Sequence, residues 1–299
     1  MQTFDVIIIG GSFAGLAAAM TLGRSRRKVL VIDAGSPCNK QTPHSHNFLT
    51  QDGKSPAEIS KLAKAQVSKY PTVEFLEGFA QKAEKADTHF RVILDSGKEY
   101  TAKKLLLATG LKDQMPKKDG FAASWGISIL HCPYCHGYEV VDKKIGIWGN
   151  GDAGFALAKL ISNWSDKITL FTDGQSTLSA EQQQSLDKHH ILLNEKEFVG
   201  FAHREGQVNK ILFADGSAEN LEAVFARVPF VQHSDIPKQL SCAFDEHGFV
   251  QVDEYQSTSV FGVFAAGDNT TGFRSVAMAV AAGSKAAAII NHQLIDEIF

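Results

Sequence analysis

Two stretches of this 299-residue chain repeat a single pattern, and the repeat constrains its fold more tightly than any other feature. "DVIIIGGSFAGLAAAMTLGRSRRKVLVIDAG", Asp5 to Gly35, reads as an apolar strand, a glycine turn, an alanine-rich helix and a second strand. "KIGIWGNGDAGFALAKLISNWSDKITLFTDG", Lys144 to Gly174, keeps the same order without a gap, so that Gly10 matches Gly149, Gly15 matches Gly154 and Gly35 matches Gly174. A turn that leaves a buried strand and opens a helix aims backbone N–H groups at a phosphate. One such turn is compatible with many parallel α/β folds. Two in register predict an α/β protein with two Rossmann-like dinucleotide-binding domains.

The two copies differ where ligands would be distinguished. The first carries Gly10, Ser12, Ala14 and Gly15, with Ser12 standing where the pattern has its middle glycine. Asp33 ends the second strand at roughly the 20-residue spacing from which a carboxylate binds an adenosine ribose 2′-hydroxyl. The second copy has the full set Gly149, Gly151 and Gly154, but Thr172 takes the place of Asp33 and is followed by Asp173 and Gly174. A 2′-phosphate needs cationic partners, and Asp173 would repel one. A nicotinamide cofactor bound here is therefore expected to be NADH rather than NADPH, although Asp173-Gly174 also suits a plain turn.

The rest of the chain is patterned as α/β throughout. "SPAEISKLAKAQVSK" predicts a capped amphipathic helix with Pro56 in its first turn. "HFRVILDSGKEYTAKKLLLATG" predicts strand, tight turn and strand, ending at Thr109-Gly110, and further strand pairs are expected around residues 215–217 and 245–252. "VFGVFAAGDN" predicts a buried strand ending at Asp268, ahead of a small-residue helix over about 274–296. Residues 112–120 and 234–241 look like paired linkers, which would place the second repeat inside the first domain. The expected boundaries are 1–115 and 242–299 for one domain and 116–241 for the insert.

Lys and Arg number 30 against 33 Asp and Glu, a net charge of −3 that gives no positive field for nucleic acid or an anionic membrane. No apolar run reaches bilayer length and no signal segment opens the chain, so a cytoplasmic protein is expected. In a reducing compartment a close pair among only four cysteines is catalytic more often than structural.

That pair lies in "HCPYCHGYE", His131 to Glu139. Its spacing suits a redox disulfide, a zinc site or a haem attachment. Zinc would need two further ligands arranged around a tetrahedron, and Cys38 and Cys242 are isolated in sequence. Haem attachment belongs to exported proteins. Pro133 can start a helix with Cys132 near its cap, where amides and the helix dipole stabilise a thiolate. Two dinucleotide sites and an exchanging disulfide together call for a carrier that takes hydride from a nicotinamide and exchanges electrons with sulfur, which is the chemistry of a flavin.

With "GGSFAG", "LLLATG", the inserted "GNGDAG" with "CPYC", and "GVFAAGD" before the last helix, the chain resembles low-molecular-weight thioredoxin reductase-type flavoproteins over essentially its whole length. The resemblance implies FAD in the first domain, held by Gly10, Ser12, Ala14, Gly15, Asp33, Asn47, Thr109, Gly110, Gly267, Asp268, Ser275 and Val276. Asp268 would bind the ribityl chain, Asn47 would sit near the flavin edge, and the amides of the last helix would approach the isoalloxazine ring. Cys135 would face the flavin and Cys132 would attack the substrate disulfide. His136 stands where thioredoxin reductases carry a catalytic aspartate, and histidine shuttles protons near neutral pH. His131 is expected to be positional, while the roles of His44 and His46 stay open.

A homodimer, a domain rotation about the two linkers, and a thioredoxin-like protein or small-molecule disulfide as partner are also implied. The histidine-bearing loop and "CPYCH" are similar to the branch that contains dithiol oxidases, in which electrons run from substrate dithiol through flavin to oxygen. A donor such as ferredoxin, or a non-enzymatic redox sensor, are the remaining alternatives.

Overall fold

Gln2–Ile9, whose second half is an unbroken apolar run, is the central strand of a seven-stranded sheet in the computed structural model, which describes residues 2–299. It pairs in parallel with Val29–Asp33 on one side and Glu99–Leu107 on the other. Val73–Glu77 and Val263–Ala265 extend the parallel part, and the antiparallel strands His89–Leu94 and Ala80–Ala86 close one edge. Strands buried on both faces need apolar residues at every position, which is why Val6, Ile7 and Ile8 run without alternation and are fully enclosed.

Helix Phe13–Arg24 leaves the first glycine turn and packs against the last helix, Val276–Asp296. Their approach is close: a Cβ on Gly283 would lie 2.0 Å from the Ala14 carbonyl oxygen. Small residues along both helices permit it. Helix Pro56–Val67 begins with the reciprocal cap between Ser55 and Glu58 that its sequence predicts.

The second repeat builds a five-stranded parallel sheet in the order Leu192–Asn194, Ile168–Phe171, Ile145–Trp148, Ala223–Ala226 and Ile129–Leu130. Helix Gly151–Ile161 covers it, and the antiparallel strands Phe198–Arg204, Gln207–Phe213 and Ala218–Asn220 lie alongside. The turn at 215–217 therefore joins two strands as expected, whereas 245–252 makes only isolated bridges, Phe244 to Val250 and Val252 to Thr258. There the Asp245 side chain accepts from the His247 and Phe249 N–H groups and holds a turn instead of a ladder.

The chain passes between the sheets twice. Leu111–Asp113 and Phe230–Gln232 run side by side as a two-stranded antiparallel ribbon. Ile236, Leu240 and Cys242 then pack with Phe4, Ile7 and Leu105, so the return segment enters the first core at Ile236, ahead of the boundary expected at 242. Among the described residues no helix is long and apolar enough to cross a membrane.

Candidate active site

At the carboxyl ends of the first sheet the chain turns to opposite sides of the central strand, and the crevice left there opens into a cavity of about 670 Å³. The first glycine turn forms its floor. Gly10 has φ 106°, and a Cβ there would meet the Ala108 carbonyl oxygen at 2.1 Å; one on Gly15 would meet the Gly10 oxygen at 1.9 Å. Ser12 caps helix Phe13–Arg24 with extended backbone and no side-chain cap, leaving the first-turn amides open for an anion. Asp33 accepts from the Gly11 N–H at 3.1 Å through Oδ1 and lines the cavity.

The buried Thr109 Oγ1 in this wall has no partner, as expected of a group that a ligand completes. Gly110, Gly267, Asp268, Ser275 and Val276 line the same space, and Ser275 caps the last helix by accepting from the Met278 N–H. A dinucleotide carrying a flavin fits this set: open amides for its pyrophosphate, a carboxylate for its ribose and polar groups along its middle. Bound FAD supplies the two-electron carrier between a hydride donor and a dithiol.

Of the residues expected to hold the cofactor, Gly15 and Asn47 do not line the cavity: Gly15 lies under the Gly10 carbonyl, and Asn47 is turned outward. It turns the chain at φ 59°, gives its N–H to Asp52 at 2.7 Å and is exposed, while Ser45 and His46 from the same loop line the cavity.

Cys132 and Cys135 are joined in a disulfide. Cys132 caps the short helix Pro133–His136, as Pro133 predicts. Cys135, His136 and His131 line the cavity; Cys132 does not, and beside it Tyr134 and Tyr138 are exposed. One cysteine of the pair thus belongs to the cavity wall and the other does not. Burial lowers the His136 pKa, Glu139 opposing and His46 adding to the fall. Burial pushes His131 down to about 4, so it is neutral near pH 7, and its ring stacks on Trp125 at 5.7 Å.

Sequence reasoning missed Asp113 and Arg274. Arg274 gives two hydrogen bonds to Asp113, at 2.7 and 3.3 Å, and a third to Asp268 at 3.3 Å. Trp125 Nε1 donates to the same Asp113 at 3.2 Å, so one buried network joins the last helix, the crossing ribbon and the insert. Burial weighs against the Arg274 charge, but the two carboxylates more than offset this and raise its pKa. Burial raises Asp268, with Arg274 opposing. The pKa of the Cys38 thiol, 3.9 Å from Asp268, is likewise raised by burial and then by that carboxylate. Arg274 follows Gly267 by seven residues, but its partner Asp113 lies 161 residues away in sequence, and no local spacing signals such a pairing.

The Pyridine nucleotide-disulphide oxidoreductase profile matches residues 4–283. The chain belongs to that family. It is 32% identical over 308 residues to a thioredoxin reductase of Claviceps purpurea, covering 98% of this chain and 95% of that protein. A thioredoxin reductase of Leptosphaeria maculans is also 32% identical over 308 residues, covering 97% and 94%. The crystal structure of an oxidoreductase from Agrobacterium tumefaciens superposes with a TM-score of 0.93 at 35% identity over 99% of each chain. This member of the pyridine nucleotide-disulphide oxidoreductases is an enzyme, a thioredoxin reductase-like flavin disulfide oxidoreductase with a redox-active Cys132–Cys135 pair.

In the second repeat of this family member, Asn150 caps helix Gly151–Ile161. Its Oδ1 accepts from the Gly151 and Thr177 N–H groups at 2.8 and 2.9 Å. Asp152 sits in the first turn and is bonded by Gln182 at 2.7 Å. Asp173, at φ 54°, pairs with Lys118 at 2.7 Å and accepts from the Phe198 N–H at 3.0 Å. Its charge is committed to the insert's own packing rather than projected toward a ligand.

Proposed function

We propose that Cys132 exchanges with a disulfide or dithiol on a small molecule or a thioredoxin-like protein, that Cys135 faces the isoalloxazine ring, and that His136 takes up and returns the exchanged proton. The observation that carries this reading is the division of the pair: Cys135 and His136 belong to the wall that also holds Asp33, Thr109 and Asp268, and Cys132 does not. Opening of the disulfide by a thiol forms a bond to Cys132 and releases Cys135 as a thiolate. His136, neutral because burial lowers its pKa, accepts the thiol proton. Gly10, Ser12, Ala14 and Gly15 seat the pyrophosphate, Asp33 the ribose and Asp268 the ribityl chain. Domains over 1–115 with 242–299, and over 116–241, would rotate about the ribbon of Leu111–Asp113 and Phe230–Gln232 in a homodimer.

As nicotinamide donor, NADH is the better chemical match at Gly149, Gly151 and Gly154. The support is the run from Thr172 to Lys196, which contains no arginine for a 2′-phosphate, rather than the charge of Asp173.

A second reading, a dithiol oxidase that needs no nicotinamide, is favoured by the Asn150 and Asp152 arrangement. There a side chain already occupies a turn amide, and the first turn of the helix carries the Asp152 carboxylate, whose charge opposes that of a pyrophosphate. Anaerobic titration of the yellow holoenzyme with NADH, NADPH and dithiothreitol, followed by flavin absorbance, separates the readings. Bleaching by dithiothreitol supports exchange at Cys132–Cys135, and its absence would refute it. Faster bleaching by NADH than by NADPH supports the donor assignment; bleaching by dithiothreitol alone selects the oxidase.

A further inference from the structure

His46 reaches the cavity wall from the loop of residues 44–53, on a different element from Cys135 and His136. Its ring meets the His136 ring edge-on, with centroids 6.3 Å apart. Its Nε2 lies 3.4 Å from Glu139 Oε1, and its Nδ1 lies 3.7 Å from Asp52 Oδ2. Side-chain exposure rises outward along this row, from 20% at His46 to 39% at Glu139 and 66% at Asp52. His44, whose ring is 6.3 Å away on the remaining side, is committed through Nδ1 to the Gly53 carbonyl oxygen at 2.9 Å.

We propose that His46 is the second station of a proton relay, passing the proton of disulfide exchange between His136 and bulk water with the help of Glu139 and Asp52. The inference rests on the reading of exchange at Cys132 given above. When a thiol opens the pair, its sulfur bonds to Cys132 Sγ, the Cys132–Cys135 bond breaks, and Cys135 Sγ leaves with the electron pair as a thiolate. The thiol's proton goes to His136. In the opposite direction a Cys132 thiolate opens a substrate disulfide and the departing sulfur takes its proton from His136. Either way one proton per exchange crosses between the cavity and solvent, while His136 itself is half-buried. Burial lowers the His136 pKa, so a proton taken up there is readily passed on. The two carboxylates beside His46, which are more exposed than its ring, give the proton an outlet to solvent.

The test follows chemistry at sulfur rather than turnover. Oxidised holoenzyme is mixed anaerobically with dithiothreitol at neutral pH and quenched with iodoacetamide at intervals, and the alkylated cysteines are counted by mass spectrometry. His46→Gln, His46→Ala and Glu139→Gln are compared with the wild type and with His136→Ala. Disulfide opening is expected to slow about tenfold in the His46 variants, less than the roughly 10²–10⁴-fold that a group acting directly on the reacting atoms contributes. Added imidazole is expected to restore His46→Ala, and Glu139→Gln to slow opening in the same direction, with flavin content and melting temperature unchanged. Wild-type rates in both His46 variants, or a slow His46→Ala that imidazole does not restore, would overturn the relay. Wild-type rates in His136→Ala would instead overturn the reading beneath it.

Discussion

Arg274 lays its guanidinium flat against the Asp113 carboxylate, two hydrogen bonds at 2.7 and 3.3 Å between a residue just before the last helix and one in the first crossing strand. Asp113 is 6% exposed, so removing its partner leaves a buried charge whose remaining side-chain hydrogen bond among the described residues comes from Trp125. Arg274→Ala is expected to destabilise the protein by about 3–5 kcal/mol, measured by urea denaturation. Arg274→Lys keeps the charge but not the fork and is expected to fall between the two.

The meeting of the first and last helices sets a second expectation. Gly283→Ala drives a methyl group into the Ala14 carbonyl, which sits in the wall of the cofactor cavity. A backbone atom cannot yield as a side chain does, so a cost of at least about 1–3 kcal/mol is expected, together with loss of flavin on dialysis. Full flavin retention and an unchanged melting temperature would contradict the close approach.

Asp33 accepts from the Gly11 N–H and lines the cavity. Asp33→Ala removes a charge-assisted hydrogen bond of about 1.5–3 kcal/mol to the expected ribose. Flavin affinity, measured by fluorescence on re-adding FAD to apoprotein, should fall by roughly ten- to a hundredfold.

Acid should weaken the fold through His131. Its pKa lies near 4 in the folded protein against an ordinary 6.5, chiefly through burial, with Arg274 and His136 adding and Asp113 opposing. The unfolded chain therefore binds a proton that the folded one refuses. The contribution is whole above 6.5, declines as pH falls toward 4, and amounts to a few kcal/mol at most. His131→Phe, which keeps the stack on Trp125, is expected to flatten the slope of melting temperature against pH across that window; an unchanged slope would locate the acid sensitivity elsewhere.

What the sequence discloses and what it hides follow from the range of each interaction. Gly15 is legible because a strand-to-helix turn that passes under the Gly10 carbonyl leaves no room for a Cβ, and Gly10 because the same turn needs its positive φ, demands met within six residues of chain. Pro133 and Ser55 announce helix starts for equally local reasons. Arg274 and Asp113, by contrast, meet only because the ribbon and the last helix converge. The partner of Asp173 is Lys118, contributed by a segment that looks like a linker. In the loop ahead of helix Pro56–Val67, Asn47, Thr50 and Gly53 all take positive φ, and His46 lines the cavity while the Asn47 N–H turns to Asp52, a choice no periodicity records.

The division of labour between the two sulfurs is tested most directly by absorbance of the holoenzyme carrying Cys132→Ser or Cys135→Ser. Cys132→Ser leaves a lone Cys135 thiolate in the cofactor wall, and a long-wavelength charge-transfer band that strengthens as pH rises through that thiol's titration is expected. Cys135→Ser should bind flavin and show no such band. A band in Cys135→Ser and none in Cys132→Ser would reverse the assignment and contradict the account.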